Sequence, residues 1–88
     1  MSDEIRRRRL AYRAWHRGTR EADYMVGGLY DRYGASWGEE ELAWFERLIE
    51  EQDVDIVAWA FRQAEPPPHI AGPMIEVLRQ LDYIDIPR

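Results

Sequence analysis

Apolar residues recur along this chain at three- and four-residue spacing, and no segment keeps the two-residue alternation of a half-buried strand. The clearest run is Ala22, Met25, Val26, Leu29, Tyr30 and Tyr33, which predicts a helix over residues 20–33. Gly27-Gly28 weakens that helix by roughly 1 kcal/mol per residue, but also lets another helix come close. A first helix is expected over residues 3–17, with Ile5, Tyr12 and Trp15 as its apolar candidates and Gly18 as its stop. Ser36-Trp37-Gly38-Glu39 fits a capping box, with Ser36 as N-cap and Glu39 reaching back. The third helix it opens carries Leu42, Phe45, Leu48 and Ile49. Asp53 caps a fourth, bearing Val54, Val57, Ala58 and Phe61, that Pro66-Pro67-Pro68 cannot continue. A fifth, near residues 70–82, uses Ile70, Met74, Val77, Leu78 and Leu81, and the tail from about 83 to 88 is expected to be extended or flexible. The pattern predicts an all-α fold, a compact bundle of about five short helices.

Length confines this bundle to one domain over residues 1–88, too small for two cores or for a cofactor enclosed between lobes. Folding at this size buries only about 60% of the chain's surface. There is no cysteine, which excludes disulfides, thiolate metal sites and a cysteine nucleophile. Four Trp, five Tyr and two Phe must supply the packing instead. No apolar run approaches the roughly 18–20 residues of a membrane span. Arg6 to Arg9 lacks the apolar stretch that an export signal carries behind its arginines, so the expected location is the cytoplasm.

Charge divides the chain. The formal net charge is −5, and all twelve basic residues are arginine. Residues 1–20 hold seven of them against Asp3 and Glu4, a formal +5; residues 21–88 carry −10. The Arg6–Arg9 arm raises a nucleic-acid reading, in which binding collapses with added salt. The acidic body and the lack of a recognised nucleic-acid motif disfavour it. A solvated helix and a handle for an acidic protein surface are the alternatives. Catalysis finds little to work with. His16 and His69 stand far apart in sequence, Ser2, Ser36 and Thr19 sit in no nucleophile elbow, and Gly27-Gly28 lacks the strand that precedes a phosphate loop. Glu39-Glu40-Glu41 complements a helix dipole better than it ligates a cation. No catalytic, metal or cofactor-binding residue is expected.

The remaining constellation is His16-Arg17-Gly18-Thr19-Arg20-Glu21-Ala22-Asp23, between the first two helices. Local physics accounts for much of it: Arg17 closes one helix, Gly18 turns the chain, Thr19 caps the next, and Glu21 and Asp23 sit near a positive helix end. The same turn also gathers both signs of charge on one small surface, where Gly18 lets a partner near the backbone. Both readings fit. Arg17-Gly18-Thr19-Arg20-Glu21 resembles the RGxxE motif of the SdhE, or succinate dehydrogenase assembly factor 2, family. Supporting it are the arginine-rich start, Trp15-His16 before the motif, Asp23 after it, the acidic third helix and the Asp53-Val54-Asp55 opening of the fourth. The family's common Glu-Leu-Asp stands here as Glu21-Ala22-Asp23, which costs some packing and leaves the charged face intact.

The resemblance covers roughly residues 5–82 and implies a five-helix assembly factor that is not itself an enzyme. Such factors bind the flavoprotein subunit of succinate dehydrogenase, often also that of fumarate reductase, and promote its covalent attachment of FAD. FAD then belongs to the client and is not held stably by the factor. The resemblance implies a partner-binding surface of Arg17, Gly18 and Glu21, with His16, Arg20 and Asp23 as neighbours. The competing reading is an antitoxin-like or nucleic-acid-associated accessory protein working through Arg6–Arg9.

Overall fold

The computed structural model describes residues 3–84, and among them five α-helices and no strand. α1 spans Asp3–Trp15, α2 Arg20–Tyr33, α3 Glu39–Leu48, α4 Asp53–Ala60 and α5 Pro73–Gln80, with one 3-10 turn at Gly34–Ser36. The all-α bundle expected from the periodicity is the fold observed. α1 and α2 pack as an antiparallel pair, because Arg7 at the start of α1 donates to Gly34 O and Trp37 O beyond the end of α2, both at 2.7 Å. Met25, Val26 and Leu29 of α2 enter the core beside Phe45 and Leu48 of α3, Ile56 and Trp59 of α4, and Ile75 and Leu78 of α5. Tyr30, Trp37 and Phe45 form an aromatic triangle with ring centroids 5.2–5.9 Å apart.

α1 departs from expectation in two ways. It stops at Trp15, and it buries Leu10 and Ala14 while Ile5 and Tyr12 stay exposed. The small Ala14 lets the two helices approach closely. Gly27 does the same for Trp15: a Cβ there would overlap the indole ring, so the glycine pair does admit a neighbouring helix. The second glycine serves the C-terminal segment, since a Cβ at Gly28 would lie 2.7 Å from Tyr83 O.

Three caps also differ. Ser36 belongs to the 3-10 turn, where its hydroxyl donates to Tyr33 O, and Gly38 is the N-cap of α3. Gln52 caps α4, leaving Asp53 as its first residue. α4 ends at Ala60, well before the prolines, because Arg62 takes a left-handed conformation (φ 61°). Gln63 N then donates to Ala58 O and Arg62 N to Trp59 O, which is a Schellman closure with arginine in the usual glycine place. The proline segment is strapped to α3 by Trp44 Nε1 on Ile70 O (2.7 Å) and by Arg47 Nε on His69 O (2.8 Å). Part of the expected loose tail is body: Tyr83 is buried with its hydroxyl on Leu78 O, and Ile84 packs on the core. Residues 85–88 lie outside the described residues.

Candidate functional site

Half of the Arg6–Arg9 arm is held against the molecule: Arg6 and Arg7 are half-buried, Arg8 and Arg9 exposed. Arg6 reaches both Glu39 and Glu46 of α3, Arg13 reaches Glu50, and Arg7 and Arg8 pair back to Asp3 and Glu4. Arg9 is exposed without a partner among the described residues. Arg6 and Arg13 thus form a charge seam between α1 and α3 with its C-terminal end, while Arg8 and Arg9 remain on the surface. Among the described residues, no three His, Cys, Asp or Glu gather as a metal site, and no helix is long and apolar enough to cross a membrane.

The turn between α1 and α2 is built from both its ends. Thr19 caps α2, accepting from Ala22 N at 3.2 Å, and Asp23 Oδ1 accepts from Arg17 N at 2.6 Å. Gly18 sits at φ 115°, a conformation that L side chains rarely adopt. Nothing lies within 4 Å of where a Cβ would stand, so the backbone there faces open space. His16 stacks on Tyr12 (centroids 3.9 Å, interplanar angle 15°) and donates from Nδ1 to Tyr12 O at 2.7 Å. That bond fixes the proton on Nδ1 and leaves Nε2 to solvent.

The six residues of the expected surface do not act alike. Arg20 and Glu21 are exposed and pair with no described residue. Arg17 is turned inward, its side chain only 10% exposed. Its Nε donates to Asp53 Oδ1 (2.8 Å), one terminal nitrogen to Ile49 O (2.5 Å) and the other to Glu51 O (2.6 Å). The planar fork expected to meet a partner is occupied by the chain's own α3–α4 junction. Beside the turn lies an open cleft of about 520 Å³, walled by Trp15 and Tyr24 and lined by His16, Gly18, Thr19, Arg20 and Asp23. The two wall rings meet edge to face at 5.9 Å.

The turn thus sets outward-facing glycine backbone beside two exposed charges, Arg20 and Glu21, that pair with no described residue. The family model described as flavinator of succinate dehydrogenase matches residues 8–82. The chain belongs to this family.

Among curated flavinator relatives, the FAD assembly factor SdhE of Acetobacter pasteurianus is 39% identical over 70 residues, covering 80% of this chain and 64% of that protein. Succinate dehydrogenase assembly factor 2, mitochondrial, of Debaryomyces hansenii is 33% identical over 67 residues, 76% of this chain and 47% of that protein. The corresponding protein of Yarrowia lipolytica is 34% identical over 82 residues, 89% of this chain and 57% of that protein. The chain thus matches about half to two thirds of the length of these relatives. In this flavinator fold, sequence reasoning missed Asp53 as a partner of the turn and Tyr24 as a wall of the cleft. Local chemistry makes Asp53 a cap candidate, and Tyr24 falls between the core positions of α2.

Proposed function

We propose that this chain is an assembly factor that docks on the flavoprotein subunit of succinate dehydrogenase and promotes that subunit's covalent attachment of FAD. The observation that carries the reading is the Gly18–Glu21 turn: open backbone at Gly18 beside the exposed, unpaired Arg20 and Glu21. The chain performs no bond-making of its own, and FAD is the client's cofactor. Docking through Gly18, Arg20 and Glu21, with His16 and Asp23 alongside, selects the client conformation in which flavin and acceptor side chain are aligned. A partner shifts such an equilibrium only by its differential affinity for the two states. A tenfold gain in the competent population takes about 1.4 kcal/mol, within reach of a few interfacial charge pairs. The working compartment of this chain is the cytoplasm.

The test is co-expression with the flavoprotein subunit, reading covalent flavin by in-gel fluorescence after denaturation. The chain should raise the signal, and Glu21→Ala should abolish the rise while leaving the circular dichroism spectrum unchanged. Normal flavinylation with a folded Glu21→Ala chain refutes the assignment of the turn. Run with the flavoprotein of fumarate reductase, the same assay decides whether that subunit is a second client.

A further inference from the structure

The motif's arginine faces the wrong way for a contact residue. Three of its five N–H groups are taken by Asp53 Oδ1, Ile49 O and Glu51 O, and the side chain is 90% covered. Ile49 is the C-cap of α3, so its carbonyl is one that the helix cannot satisfy itself. Glu51 lies in the link to α4, and Asp53 opens α4, where the helix dipole favours a carboxylate. The main chain of the same residue donates to Asp23 in the first turn of α2. Residue 17 therefore joins the end of α1, the start of α2, the end of α3 and the start of α4, and Gly18 follows it immediately.

We propose that Arg17 serves docking as a positioning residue, and that Asp53, 36 positions away, is its working partner: together they fix the Gly18–Glu21 turn in the shape a client reads. The proposal rests on the docking reading above and changes its division of labour. Contact falls to Glu21, Arg20 and the Gly18 backbone, and Arg17 touches no client atom. Lysine cannot replace Arg17, because one ammonium cannot match three acceptors held in the guanidinium plane. Asparagine can partly replace Asp53, since its amide oxygen still accepts from Arg17 Nε.

The experiment is a double-mutant cycle on the full chain, read by affinity for the purified succinate dehydrogenase flavoprotein subunit and by amide NMR of the free chain. Arg17→Gln and Asp53→Ala should each weaken binding by about tenfold or more, the scale of a lost charge-assisted hydrogen bond. The double variant should be no weaker than the worse single variant, because both remove one device. Asp53→Asn should recover most of the affinity. In the free chain, Asp53→Ala should shift the Gly18, Thr19 and Asp23 amides, which loss of overall stability alone would not do below the melting temperature. Additive losses in the double variant would mean that Arg17 touches the client, and would overturn the proposal. Wild-type affinity of folded Asp53→Ala with unmoved turn amides would do the same. Should Asp53→Ala fail to fold, Asp53→Asn with Arg17→Lys completes the cycle: lysine must lose affinity and asparagine keep most of it, or the clamp is refuted. Loss of binding in Glu21→Gln with no loss in Asp53→Ala sinks only the clamp. Shifted turn amides with no binding by the unaltered chain sink only the docking.

Discussion

Gly18 separates backbone strain from side-chain clash unusually well. At φ 115° an L residue is strained, and an added methyl meets no atom within 4 Å beyond its own chain neighbours. The whole cost of Gly18→Ala in the isolated protein should therefore be conformational, about 1–3 kcal/mol. Each kcal/mol lowers the melting temperature of a domain this size by about 4–8 °C. The control is D-alanine at the same position, which favours positive φ and should recover most of the lost stability. Total synthesis is open to a chain without cysteine, because ligation followed by desulfurisation at Ala43 leaves the natural sequence. Thermal unfolding of the glycine, L-alanine and D-alanine chains gives the answer directly. Equal melting temperatures for all three would refute the argument from φ. A D-alanine chain as unstable as the L-alanine chain would move the cause from backbone to packing.

Gly27→Ala should destabilise by about 1–3 kcal/mol, because its methyl overlaps the Trp15 indole and a packed core yields little; urea unfolding followed by tryptophan fluorescence would show it. Arg62→Gly should do the reverse, raising the denaturation midpoint by about 0.5–1 kcal/mol worth of stability, since glycine occupies the left-handed closure of α4 without strain. Burial, reinforced by the charge of Asp82, pushes the Tyr83 hydroxyl above the ordinary tyrosine value. Folding thus favours its neutral form: the stabilisation is whole below about pH 10, where the unfolded tyrosine titrates, and is lost as pH rises toward the folded value. Tyr83→Phe should flatten that alkaline loss in a stability-versus-pH series, leaving the smaller slope due to Tyr30 and Tyr33, whose hydroxyls are also raised.

The sequence showed best where one helix answers to one periodicity. Met25, Val26 and Leu29 were legible because α2 buries a full apolar stripe, and Thr19 because an N-cap depends on the three residues that follow it. α1 misled because its large apolar residues are not its buried ones: a helix dense in arginine presents only Leu10 and Ala14 inward, and small size is what brings Ala14 against its neighbours. Local chemistry makes Ser36 and Asp53 cap candidates, but each side chain has another partner. For Ser36 that is Tyr33 O; for Asp53 it is a guanidinium from another helix. The direction of Arg17 could not be read at all from its neighbours, since its acceptors lie 32–36 residues away. The one sequence signal was the unmet need of α3 for donors at its end.

The bonds from Arg17 to Ile49, Glu51 and Asp53 also set an order in time. A chain made from its N-terminus carries the whole RGxxE segment long before the residues that shape it exist. Until Asp53 has left the ribosome, the turn has its letters and lacks its geometry. On the docking proposal, recognition of the finished turn would then also be recognition of a chain folded past its midpoint, and an unfinished copy would bind more weakly. One inward arginine thus ties the shape of an N-terminal turn to completion of the chain as far as Asp53.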